Sequence, residues 1–199
     1  MHMPINRRDF VGSALTTAVA AALLKPRCAF AKDAFSGIDA VGQAALVREK
    51  KVTSLELVDS AIARIDSANP KINAVVAEYF DKARKQAKTA LPASPLSGMP
   101  YLIKDLYEIK GEITTSGSRL MATHIGADNS LLAQRAIDAG MIVIGKSNTP
   151  EFGLMASTES LQLGACHNPW NTGYSTGGSS GGAAAARSAF RHPAAGCSA

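Results

Sequence analysis

Between Asp128 and Ile144 the chain places a helix and a buried strand back to back, and this restricts the fold more than any other stretch. Asp128-Asn129-Ser130 offers side-chain oxygens for a helix N-terminus, the residues up to Ala139 are helix formers, and Gly140 supplies the stop. Met141-Ile142-Val143-Ile144 is then apolar without alternation, the pattern of a strand covered on both faces. A helix leading straight into such a strand predicts an α/β fold built on a parallel sheet. The stretch also holds a decoy. Residues 140–147 fit G-x-x-x-x-G-K-S, the phosphate-cradling loop, but that loop must follow a strand and precede a helix. Here Gly140 follows the helix and residues 141–144 are the strand, so nucleotide binding is set aside.

Upstream, Asp39 is the N-cap expected for a helix over residues 38–49, with Val41, Ala44, Ala45 and Leu46 at helical spacing. Thr53-Ser54-Leu55-Glu56 is a capping box opening a second helix, whose apolar face is Leu55, Leu57, Val58, Ala61, Ile62 and Ile65 and which Asn69-Pro70 is expected to stop. Residues 72–76 are a short strand by their β-branched content, and residues 80–90 a basic helix. No aromatic interleaves Lys82, Arg84, Lys85 and Lys88, which makes them a solvated face rather than a nucleic-acid patch. Met99-Pro100-Tyr101-Leu102-Ile103 is strand-like and puts Lys104 at a strand end, facing either solvent or a site. Thr114-Thr115-Ser116-Gly117-Ser118 is a hydroxyl-rich loop able to hydrogen-bond something buried.

Gly177-Gly178-Ser179-Ser180-Gly181-Gly182, followed by four alanines, is a loop feeding a helix N-terminus. Taken alone it has three readings: a flexible linker, a phosphate cradle, or a loop that holds a serine for catalysis.

The first 31 residues have the layout of an export signal. Arg7-Arg8-Asp9-Phe10 is a twin-arginine pair with an aromatic after it, residues 11–24 are apolar and small, Lys25-Pro26-Arg27 breaks the run, and Ala29-Phe30-Ala31 offers a cleavage site. Fourteen such residues are too few to span a bilayer of about 30 Å. The expectation is therefore a bacterial periplasmic or secreted protein, exported by the twin-arginine machinery and without a membrane anchor once the signal is removed. Those residues carry +3 of the formal charge of +5, which leaves too little to argue a nucleic-acid partner. Cys166 and Cys197 then remain, too few for a disulfide framework, and the four histidines show no metal-ligand spacing. No cofactor and no metal is expected.

Five segments in order resemble the amidase signature family: Gly98-Met99-Pro100 with Leu102-Ile103-Lys104-Asp105; Thr115-Ser116-Gly117-Ser118; Ile144-Gly145-Lys146-Ser147-Asn148 with Glu151-Phe152; Asn168-Pro169-Trp170-Asn171; and residues 177–182. The resemblance implies the N-terminal part of that family's α/β fold, a mixed, mostly parallel sheet flanked by helices and incomplete in this chain. It divides the chain into an export signal (1–31), an amidase portion (32–186) and a non-family tail (187–199). It also implies hydrolysis of a small-molecule amide through a Ser–cis-Ser–Lys triad, with Lys104 the lysine and Ser179 the bridging serine after a cis Gly178–Ser179 bond. Gly177, Gly178, Ser180 and Gly181 would support the loop. The family's nucleophile lies some two dozen residues beyond the bridging serine, and 20 residues follow Ser179 here. Neither Ser188 nor Ser198 sits at that distance or in a G-G-S turn, so the expectation is a chain truncated before its nucleophile and inactive as it stands. The alternative is a non-catalytic module, or folded remnant, that binds a small ligand through the Gly/Ser-rich loop.

Overall fold

The computed structural model describes residue 35 and residues 37–191, with residues 190 and 191 described for their backbone alone. The expected export signal, Cys197 and Ser198 lie outside them. Helix α1 (Ala40–Arg48) starts where Asp39 accepts the Gly42 amide at 2.7 Å. Helix α2 (Ser54–Ile72) opens on the full capping box, the Glu56 amide donating to Thr53 Oγ1 at 3.2 Å and the Thr53 amide to Glu56 Oε2 at 2.8 Å. After them come β1 (Val75–Glu78), α3 (Phe80–Gln86), β2 (Pro100–Lys104), α4 (Leu131–Asp138) capped by Ser130, β3 (Ile142–Ser147), a small hairpin of β4 (Glu159–Ser160) and β5 (Gly164–Ala165), and α5 (Gly181–Arg191).

The main sheet has the order β1-β3-β2, with β3 in the centre. Strand β2 runs parallel to β3 and β1 antiparallel to it. The sheet is mixed and flanked by helices, as expected, with one parallel and one antiparallel pairing among the described residues. Both pairings carry an irregularity. Tyr101 faces Val143 and Leu102 faces Gly145, so Ile144 is an extra residue on β3; Val75 faces Ser147 and Ala77 faces Lys146, so Val76 is an extra residue on β1. Past the first of these, Ile103 is opposite Lys146 and Lys104 opposite Ser147.

Partners across a sheet share a face and neighbours along a strand do not. Leu102, Lys104 and Ser147 therefore occupy the front, and Ile103 and Lys146 the rear. The front is covered by helices: Val58, Ile62 and Ile65 of α2 and Ala83 of α3 pack with Val75, Ile142, Ile144 and Leu102, and Ala185 and Ala186 of α5 pack with Ile72, Ala74, Cys166 and Leu102. Each large aliphatic side chain so buried contributes about 1.5–3 kcal/mol.

Three expected boundaries move. Pro70 does not stop α2 but lies inside its last turn, where the amide it lacks removes a single helical bond, and the stop comes at Asn73 in the left-handed region at φ 48°. Ile72 is consequently the last helical residue, and the strand expected from 72 begins at Val75. Helix α3 ends at Gln86 rather than at residue 90.

Candidate active site

Lys104 ends β2 on the front of the sheet, and the glycine-rich loop arrives there from β5 before entering α5. The loop is held by backbone approach rather than left loose. A Cβ on Gly178 would come within 2.6 Å of the Met155 carbonyl oxygen, and one on Gly182 within 2.6 Å of the Asn148 carbonyl oxygen. Gly181 is enclosed by the hydroxyls of Thr158 and Thr176, and Gly177 has φ +73°, a region open to glycine at little cost. These contacts exclude the flexible-linker reading. The Gly178–Ser179 peptide bond is cis.

The Lys104 Nζ donates to Ser179 Oγ at 2.8 Å and to Ser180 Oγ at 3.2 Å. Among the described residues these two hydroxyls are its hydrogen-bond partners, and Ser188, farther along α5, is not one of them. No ion pair among the described residues includes Lys104. Partial burial without a carboxylate pushes its ammonium below the usual lysine range. Buried Thr149 and Thr158 fix the loop from beneath, Thr149 Oγ1 donating to the Ser179 carbonyl at 3.3 Å and Thr158 Oγ1 to the Gly177 carbonyl at 2.8 Å. The Asn148 side chain, fully buried, donates to the carbonyls of Asn73 at 2.9 Å and Gly164 at 3.3 Å, while the Asn148 backbone carbonyl accepts the Gly182 amide. Asn148 thus ties the end of β3 to the start of α5.

Behind the sheet lies a constellation that the sequence patterns do not announce. Lys146 is 0 % exposed and Asp105 2 %, and their Nζ and Oδ1 are 3.2 Å apart. The Lys146 ammonium also donates to Tyr107 O at 3.2 Å and to Thr114 Oγ1, so its three hydrogens each have an acceptor. Asp105 in turn accepts the Thr115 amide at 3.2 and 3.3 Å and the Thr115 hydroxyl at 2.5 Å. Loss of solvent lowers the Lys146 ammonium's affinity for its proton, against the pull of the Asp105, Glu112 and Glu108 carboxylates. The hydroxyl-rich loop thus does bond something buried, through Thr114 and Thr115. A lysine two residues past a fully apolar run was the available signal. Only the pairing register shows that it points inward. Among the described residues no group of three or more His, Cys, Asp or Glu is arranged to hold a metal ion.

A family model described as Amidase matches residues 56–198. A 6-aminohexanoate-cyclic-dimer hydrolase from Paenarthrobacter ureafaciens is 42% identical over 160 residues, which is 79% of this chain and 32% of that protein. An acylamidase from Rhodococcus erythropolis is 38% identical over 167 residues, 79% of this chain and 35% of that one. Among solved structures, a 6-aminohexanoate cyclic dimer hydrolase complexed with substrate superposes with a TM-score of 0.73 at 40% identity, covering 78% of this chain and 33% of that one. The chain spans about a third of the length of these relatives.

Proposed function

This chain belongs to the amidase signature family, and from that premise we propose that Lys104 and Ser179 are two members of a catalytic centre that hydrolyses the carbon–nitrogen bond of small-molecule amides. The observation that carries the reading is the 2.8 Å contact of a partly buried, carboxylate-free lysine with a serine whose loop is held by close backbone approach at Gly178 and Gly182. As the free amine, Lys104 accepts the Ser179 proton while Ser179 takes the proton of an attacking hydroxyl; the reverse transfer then protonates the leaving amine. Lowered affinity for the resting proton makes that amine available nearer neutral pH than an exposed lysine's. The attacking hydroxyl comes, in this proposal, from polypeptide outside the described residues.

The test is a graft. Residues 56–186 replace the aligned segment of the Paenarthrobacter hydrolase, and amine release from a short cyclic amide is followed. The chimera should turn over, and Lys104→Ala or Ser179→Ala in it should lose about 10³-fold or more in kcat. A Lys104→Ala chimera as active as its parent would falsify the proposal and favour the ligand-binding alternative.

We further propose export of the protein through the twin-arginine route, on the strength of Arg7-Arg8, the apolar run and the Ala29-Phe30-Ala31 site. Residues 1–31 fused to a reporter should reach the periplasm, and replacing both arginines by lysine should retain it in the cytoplasm.

A further inference from the structure

Lys104 and Asp105 are adjacent in the chain, yet they serve opposite faces of one strand end. The Asp105 amide donates to the Ser147 carbonyl at 3.1 Å, so the β2–β3 ladder continues one bond past Lys104. The Asp105 side chain then reaches back to Lys146, the residue before Ser147, and sideways to Thr115. Lys146 joins both ends of the segment that leaves β2, through Tyr107 O and Thr114 Oγ1.

We infer that Asp105 and Lys146 are positioning residues for Lys104: their ion pair locks the ends of β2 and β3 to the 107–115 segment, and so fixes where the Lys104 amine meets Ser179. The inference rests on the reading of Lys104 as the amine base. A buried ion pair is weak as a source of stability, because removing two charges from water costs about as much as their attraction returns, and an apolar pair of similar volume packs as well. What the charges add is direction. Asp105 accepts at both oxygens and Lys146 donates along three defined lines, which leaves the strand ends one register and one height. A reacting group displaced by about 1 Å can lose about 100-fold in rate, so that constraint matters at Lys104 above all. The charged and titratable groups around the pair are Glu108, Glu112 and the Tyr79 hydroxyl, whose proton is held more tightly through burial and then through Glu112 and Asp105.

The experiment labels the full chain with trace acetic anhydride, which acylates free amines, from about pH 6 to about pH 11.5, spanning the ordinary lysine midpoint of about 10.4, and follows each lysine by peptide mass. In the unaltered chain the Lys104 midpoint should lie below the usual lysine range. The double variant Asp105→Leu with Lys146→Met replaces the pair by apolar side chains, and there the Lys104 midpoint should rise by about one pH unit, a tenfold fall in free amine at neutral pH. Thr115→Val, which removes the hydroxyl's bond to Asp105 and the one it accepts from the Gly117 amide while leaving the Thr115 amide on Asp105, should raise it by less. Val58→Ala in the front core should lower the Tm and leave the midpoint in place. A folded double variant with an unmoved midpoint overturns the inference; if the double variant does not fold, an unmoved midpoint in Thr115→Val does so instead. An unaltered chain whose Lys104 titrates in the usual lysine range sinks the proposed base itself, a separate result.

Discussion

Lys104 and Lys146 differ in company rather than in depth of chemistry. Each sits near the C-terminal end of a strand in one sheet, and each is pushed by desolvation toward losing its proton. Lys146 meets a carboxylate, a hydroxyl and a carbonyl, a set that fills an ammonium and leaves nothing over. Lys104 meets two serine hydroxyls, which can donate as readily as accept. The first set holds one protonation state in place, and the second lets a proton travel. A buried lysine is therefore not a functional signal until its partners are known.

The contrast can be broken by exchanging what each lysine loses. Lys146→Met alone strands Asp105 in the interior and should cost about 3–5 kcal/mol in urea-unfolding free energy; a loss under about 1 kcal/mol would put the pair on a par with surface ion pairs. Gly178→Ala drives a methyl into the Met155 carbonyl and should cost about 1–3 kcal/mol by the same measurement, because backbone rather than a side chain must move. Lys104→Met should change stability at neutral pH least of the three, and its mark is in the pH dependence. A lysine whose folded affinity for protons is lowered binds fewer protons folded than unfolded, so stability rises with pH from the folded midpoint up to about 10.4. Lys104→Met should flatten that rise, measured as Tm against pH between 7 and 9.5, and an unchanged slope would mean that Lys104 is as free as a surface lysine. Arg84→Ala is the lower bound: its contact with Asp59 is exposed and should be worth under about 1 kcal/mol.

Much of the framework was legible because its signals are local. Asp39, the Thr53–Glu56 box, Ser130 and Gly140 mark helix ends through bonds spanning a few residues, and the structure makes those bonds. Lys104 and Ser179, 75 positions apart, are linked in the sequence by family resemblance alone, and they lie in contact. What escaped depends on distant partners. Pro70 stays helical because Asn69 reaches over it to the backbone of Ala74 and Val75, bonds that no window around the proline reveals. Ser180 was expected to support the loop, and its contact with Lys104 depends on how the loop meets β2. Lys146 looks like a strand-end cation until the register turns it inward.

That register hangs on one residue. Were Ile144 paired in turn rather than passed over, the count from Pro100↔Ile142 and Tyr101↔Val143 would run on through Leu102↔Ile144 to set Lys104 opposite Lys146. Two ammonium groups would then stand on the same face of adjacent strands about 4.8 Å apart, and the carboxylate and the serines would each lose their lysine.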